Sequence, residues 1–447
     1  MAQTVVTKTR KKVGKKGKDF TFTKELIPDR EGMPQFVKNY RQEAWNFYVN
    51  ALLPNTGDEP WRRTDLRKLD AANFKIPANG NLTDVPGVPG ELLEPLLGDK
   101  QAGQIVMSPG RQEVDLDPEL KRQGVIFCDL STAEVEYGEM LQPIMGQVVN
   151  IEDGKFAALA AALANQGVFI HIPKDVKVEL PLHSILWGPG TDLAYFSHIL
   201  IWLEEGAELT YVHESASPGG SSGQTMHSGV VEIHVGPRAN LRFVELQSWG
   251  ENVWNFTQKR ARVDRDGNLD WVFAAVGSHL TKEFSDLDLF GEGAFGRMSG
   301  FYFTDGVQHL DHDTQQNHLA ANTTSDLLFK GALKENSRSV WQGMIYVAPG
   351  AQKTDGYQAN RNLVLSSKAR ADSIPGLEIM ADDVRCTHGA TVGKIDPDEL
   401  FYLLSRGIAR EDAEQLIVEG FFDPIMQRIP FPGVQDRLRR AITRKMS

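Results

Sequence analysis

The chain has only two cysteines in 447 residues, Cys128 and Cys386, and neither belongs to a C-x-x-C pair. A disulfide scaffold and a four-thiolate structural zinc site are both excluded. Two lone thiols suit a reducing compartment, so a cytoplasmic protein is expected. Long hydrophobic runs are missing too. The longest, Phe156 to Ala164, has nine residues, against roughly 20 for a membrane-spanning helix. No apolar segment follows the basic start, so no secretory signal is visible. Positive charge is in deficit: 48 Lys and Arg against 59 Asp and Glu give −11. Such a chain lacks the basic face that coats a nucleic-acid backbone. No histidine precedes His171.

What is present is the balance of a soluble globular protein, 41% apolar and 24% charged, long enough for one to three domains. The 41 glycines and 22 prolines fall irregularly, which rules out a collagen-like repeat. Residues 1–18 form a basic tail, with Lys8, Arg10, Lys11, Lys12, Lys15, Lys16 and Lys18 and no apolar periodicity. It reads as a disordered solubility tail. Residues 19–100 read as a helical region. Its main helix spans residues 34–53, where Val37, Tyr40, Ala44, Tyr48 and Leu52 recur at three- and four-residue steps. A second helix is expected over 154–165, with Asp153 as N-cap and Gly167 as the stop.

Between Val168 and Leu365 the code changes to short runs of Val, Ile, Leu and aromatics, separated by Gly, Asn, Asp and Pro. These are strands. Too many follow one another for one sandwich, and some, such as Lys282–Leu289, are strongly polar. A β-helix, stacking runs without an exact repeat, is the preferred mainly-β fold, with its core over 101–394. Helices return at 395–447. Asp396 caps, Pro397 takes the first position and Glu399 completes a capping box. That helix stops at Gly407. Others follow over about 409–418 and 435–445.

Apparent catalytic motifs fail on context. Gly219–Gly223 matches G-x-S-x-G but lies in a loose loop rather than a strand–helix elbow. Gly389 to Lys394 is one residue short of a phosphate loop and has Ile395 where a hydroxyl is needed. His309, Asp311, His312 and Asp313, with His318 beyond, form a dense cluster. It fits a hard or borderline metal, or a hydrogen-bonded β-ladder. In Cys386-Thr387-His388, positions i and i+2 of an extended segment share one side. A thiolate beside an imidazole can bind iron, zinc or copper, or lower the thiol pKa; a structural cysteine with a satisfied histidine is the other reading. Two ligands cannot close a tetrahedral site, so another chain would have to complete it. Cys128 reads as core.

Leu377-Glu378-Ile379, then Asp382 through Gly393 around Cys386, resembles the signature of the SufD branch of the SufB/SufD family. So do Trp61-Arg62-Arg63-Thr64-Asp65-Leu66, Lys155-Phe156 with Gly167 through Pro173, Leu203 through Ala207, and Leu400 through Ile408. The likeness spans residues 33–430. It implies a right-handed parallel β-helix flanked by N- and C-terminal helical domains. It further implies a non-catalytic subunit of the SufBCD complex, pairing with a SufB scaffold and carrying a SufC ATPase on about Pro397 to Ile425. Glu411, Asp412, Glu414, Leu416, Ile417, Phe421 and Phe422 supply apolar anchors and a charged rim there. Cys386 and His388 match the family positions linked to cluster formation at the SufB interface. They would meet a transient iron or iron–sulfur cluster, with none tightly bound to the chain alone, which is expected as a monomer or homodimer. The competing readings are a SufB-like scaffold, a metal-dependent β-helix enzyme using His309, His312 and Asp313, and a β-helix enzyme acting on carbohydrate. SufB-like chains carry Glu-His-Glu where this one has Thr387-His388-Gly389, and bring further cysteines.

Overall fold

A computed structural model describes residues 19–77, 86–97, 100–220 and 222–446. The basic tail and Ser221 of the G-x-S-x-G string lie outside the described residues. Strands alternate between a ten-stranded and a nine-stranded sheet, so each turn of the chain adds one strand to each. From Gln166–Ile172 onward every pairing within a sheet is parallel and advances residue for residue, as in Thr257↔Glu283↔His312↔Trp341. This is a parallel β-solenoid, with helices at both ends of the chain.

The alternation of side chains explains the mixed apolar and polar strands. In Asn268–Ala275, Leu269, Trp271, Phe273 and Ala275 fill the interior between the sheets. Val272 and Ala274 face outward, yet they are also buried, under Val418, Phe422, Ile425 and Ile429 of the C-terminal helices. A strand covered on both faces reads as a continuous apolar run. The outer face of the nine-stranded sheet starts under the helices Gln35–Asn50 and Lys155–Leu163. Farther along it is uncovered by helix and carries ion pairs instead, such as Arg260–Asp286 and Arg338–Asp372, each 2.6 Å. Hence the polar strand Leu280–Leu289.

Inside the solenoid the apolar filling is interrupted by charge. Lys259 Nζ lies 2.8 Å from Glu245 Oε1 and 2.9 Å from Glu283 Oε2. Trp271 Nε1 donates to Glu245 at 2.7 Å. All three ionic groups are buried. Removing one partner of such a set strands an uncompensated charge, a loss of about 3–5 kcal/mol.

Several local expectations are corrected by the surroundings. Asp153 is not the N-cap of Lys155–Leu163; Gly154 is. The Asp153 carboxylate accepts from the Asn150 N–H and pairs with Arg260, both at 3.0 Å. Gly167 does not stop that helix, which ends at Leu163, where Arg41 donates to Ala162 O and Ala164 O. Gly167 sits inside a strand because a Cβ there would stand 1.9 Å from His198 O. Asp396 caps as expected, accepting from Asp398 N–H at 2.8 Å. The next helix runs over Arg410–Met426, past Gly420 and Pro424. Packing of Val418, Phe422, Ile425 and Met426 against the sheet overrides the two breakers. The last helix is Pro432–Met446.

Burial pushes three interior histidines down, His213 to about 3 and His227 and His318 to about 4. They are neutral in the fold and take protons in the unfolded chain near pH 6.5. Their contribution is therefore complete above pH 6.5 and is lost as pH falls from there toward 4. Urea midpoints should decline between about pH 6.5 and about pH 4.5. A flat profile over that interval would contradict the assignment.

Candidate functional site

Among the described residues the solenoid ends without a cap on its sheets. Arg370–Ile379 is the last strand of one sheet and Arg385–Gly393 the last of the other, each with one unpaired edge. Around this end Tyr357, Leu377, Ile379, Met380 and Val392 are exposed, the last two by about half. An open apolar edge of this kind is a template for another chain.

Cys386 and His388 lie on that last strand. Cys386 pairs with Gly356 and His388 with Gln358. Both fall on the parity that faces the solenoid interior, so their shared side is the mouth of the solenoid. Cys386 is half-buried and packs on the cluster of Ile345, Val347 and Ala351. Burial pushes its thiol up, against a backbone hydrogen bond from Gly356 that lowers it. His388 is exposed. Beneath it Gln358 is buried; its Nε2 donates to Gly376 O at 2.8 Å while its Oε1 has no partner. Asp382 and Asp383 are exposed on the approach.

The histidine cluster is dispersed by the same alternation. On His309–His318, His309, Asp311 and Asp313 face outward. Lys282 pairs with both aspartates, at 3.0 and 2.8 Å, and Thr64 bonds His309 at 2.9 Å and also Asp311. Burial pushes His309 down to about 4. His312 faces the other way, ringed by Phe273, Tyr302 and Phe329. His318 is likewise interior, bonded to Thr323 and Ser325. Among the described residues no three or more His, Cys, Asp or Glu side chains are grouped to hold a metal ion. The segment of Gly389 to Lys394 is the exposed end of a strand rather than a loop before a helix. Among those residues, too, no helix is long and apolar enough to cross a membrane.

The description "SUF system FeS cluster assembly, SufBD core domain" fits residues 187–421, and "SufBD protein N-terminal region" fits residues 20–183. The chain belongs to the SufBD family. It is 30% identical to the iron–sulfur cluster assembly protein SufD of Bacillus subtilis over 440 residues, 95% of this chain and 100% of that one. A SufBD family protein of Staphylococcus epidermidis is 31% identical over 409 residues, 89% of this chain and 86% of its own length. One from Staphylococcus saprophyticus is 31% identical over 416 residues, 90% and 88%. The SufBD chain is thus a component of iron–sulfur cluster assembly, and the fold expected from its motifs is the one found.

Sequence reasoning singled out the two ends of the motif, grouped His318 with the His309 cluster instead, and missed Gly356 and Gln358. Gly356, Gln358 and His318 form the floor of the motif. The only sequence signal for Gly356 is a glycine at the start of a strand, where no turn requires it.

The other thiol is a different case. Cys128, on Ile126–Asp129, is buried, and burial with Asp129 pushes it up to about 12. Cys128→Ala should cost about 1–3 kcal/mol and lower the melting temperature. Cys386→Ala, on an edge strand, should leave the melting temperature near wild type. Equal losses in the two variants would place Cys386 in the load of the core.

Proposed function

We propose that this SufBD chain is a non-catalytic SufD-type subunit of a cytoplasmic complex, which supplies Cys386 and His388 as half of a site shared with a SufB-type scaffold. Iron or a nascent iron–sulfur cluster is the cargo of that site. The observation that carries the reading is the placement of the two side chains on one face of an unpaired last strand. A thiolate and an imidazole are both iron ligands. Two of them leave an iron ion's coordination incomplete, and the exposed edge offers the place for a second chain to complete it. A second copy of this chain is the expected occupant of the edge when no scaffold is present. Iron entry at the junction follows from the exposed acidic pair Asp382 and Asp383 beside it.

A SufC-type ATPase is assigned to the C-terminal helices Pro397–Ser405 and Arg410–Met426. Support comes from Phe401, Tyr402 and Leu416, which are 70%, 57% and 49% exposed. Of the anchors expected from sequence, Phe422 is excluded, since it is buried with its ring 4.9 Å from Phe301. The docking face is therefore the outer side of these helices. Deletion of the segment would strip the outer sheet face, so surface substitutions are the cleaner probe.

Two outcomes test the proposal. Cys386→Ala or His388→Ala in the complete complex should lower cluster yield, measured by visible absorption and iron content under anaerobic conditions, with the melting temperature unchanged. Undiminished yield from both variants would remove the site. Phe401→Asp with Tyr402→Asp should abolish co-purification of the ATPase and spare pairing with the scaffold. Retained ATPase would exclude this face.

A further inference from the structure

The wall behind Cys386 is built without a side chain. Gly356 lies in the ordinary extended strand Asp355–Val364, outside the positive-φ positions of the chain. Backbone conformation therefore does not call for glycine, but space does. A Cβ at 356 would stand 3.3 Å from three atoms at once: Cys386 Sγ, His318 Nε2 and Ile345 Cγ2. Ser325, Gly356 and Cys386 are stacked partners on successive strands of one sheet. His318 reaches across from the opposite sheet. Its Nδ1 lies 2.8 Å from Thr323 Oγ1 and its Nε2 2.8 Å from Ser325 Oγ. The Thr323 hydroxyl already donates to Ala320 O at 3.1 Å, so it accepts from Nδ1–H, and Ser325 donates to Nε2. Both ring nitrogens are engaged and the imidazole is held in place.

We propose that Gly356 and His318 are positioning residues that form a seat for the Cys386 sulfur. The bare backbone at 356 lets the sulfur turn into the mouth of the solenoid, and the fixed imidazole stops it from sinking farther. In the seat the sulfur is on the same side as His388 and below the unpaired edge, so it is offered to a partner chain rather than to solvent. This rests on the assignment of Cys386 and His388 as ligands. A methyl at 356 would crowd three neighbours. His318 and Ile345 are fully buried and held. Cys386 is half-buried on an edge strand, so it is the one that yields, by rotating outward.

The chain has two cysteines and Cys128 is buried, so alkylation of the native full-length protein by iodoacetamide, followed by intact mass, reads Cys386. Gly356→Ala should raise the alkylation rate about fivefold, the population shift produced by a rotamer penalty of about 1 kcal/mol. Cluster yield in the complete complex should fall, with the melting temperature unchanged. Adding His318→Ala to Gly356→Ala makes room for the methyl and should bring the rate back. Equal rates in wild type and Gly356→Ala overturn the seat. Should Gly356→Ala fail to fold, His318→Ala alone decides: a deeper seat slows alkylation, and an unchanged rate overturns the proposal. The two assignments fail separately. If Cys386→Ala abolishes cluster yield while Gly356→Ala changes neither rate nor yield, the ligands stand and the seat falls. If Cys386→Ala leaves yield intact, the ligand assignment falls whatever the alkylation rates.

Discussion

Everything in this molecule depends on stacking without slip. Each strand pairs residue for residue with the one a turn earlier, so a side chain's face is set by parity and propagates along the solenoid. A shift of one residue in any rung would turn every later side chain over. Cys386 and His388 would then face outward, and the ion-pair ladder of the outer face would be driven inside. Register is therefore the constraint that function inherits, and the interior charge is suited to enforcing it. Lys259 meets Glu245 on the opposite sheet and Glu283 on the next rung. A slipped rung would pull one of the three away and leave the other charges buried without a counterpart. Apolar side chains alone distinguish registers less sharply, because one interior aliphatic residue substitutes for another at small cost.

The helices complete what the solenoid cannot do for itself. A sheet with two apolar faces needs a cover. The C-terminal helices cover the ten-stranded sheet, where Phe422 packs on Phe301 and Phe303. At the other end Arg41 joins buried Glu134 and the carbonyl end of the helix Lys155–Leu163. Glu232 accepts the N–H groups of Gly146, Val148 and Val149 and bonds His198 at 2.9 Å. These buried, fully engaged carboxylates tie the N-terminal segment to the strands. The Trp61–Leu66 segment is fixed in the same way, through Thr64 on His309 and Asp311.

How far the sequence discloses this differs by feature. Strand existence was legible from β-branched runs and turn residues, and the solenoid from their number and their mixed polarity. The shared side of Cys386 and His388 followed from a two-residue period. What was illegible depended on contacts between distant rungs. Gly420 and Pro424 look like helix stops until Val418 and Ile425 are seen under a sheet. The cluster around His309 fits a metal site as well as a hydrogen-bonded ladder until Lys282, a rung away, is found holding both aspartates. Asp153 looks like a cap until Arg260 is found beside it. In each case a local preference gave way to a partner more than ten residues distant, for which the sequence carries no periodic signal.

The unpaired end of the solenoid gives the clearest link from fold to role. A solenoid can continue until something stops it, and an exposed strand edge is an aggregation hazard unless it is blocked or reserved. At the N-terminal end each sheet finishes on an antiparallel edge strand: Arg111–Leu116 turns back on Gly103–Ser108, and Ile126–Asp129 runs against Gln166–Ile172. At the C-terminal end the parallel ladder runs on to the last strand of each sheet. Its last strands keep their edges free, carry exposed Met380 and Val392, and hold the chain's one accessible thiol beside an imidazole. A free edge fixes the direction and spacing of whatever pairs with it, because a second strand must fall into the same ladder. A partner docked there meets Cys386 and His388 at a distance set by sheet geometry rather than by flexible loops. That is what a site assembled from two chains requires: each half rigid before the encounter, and neither complete without the other.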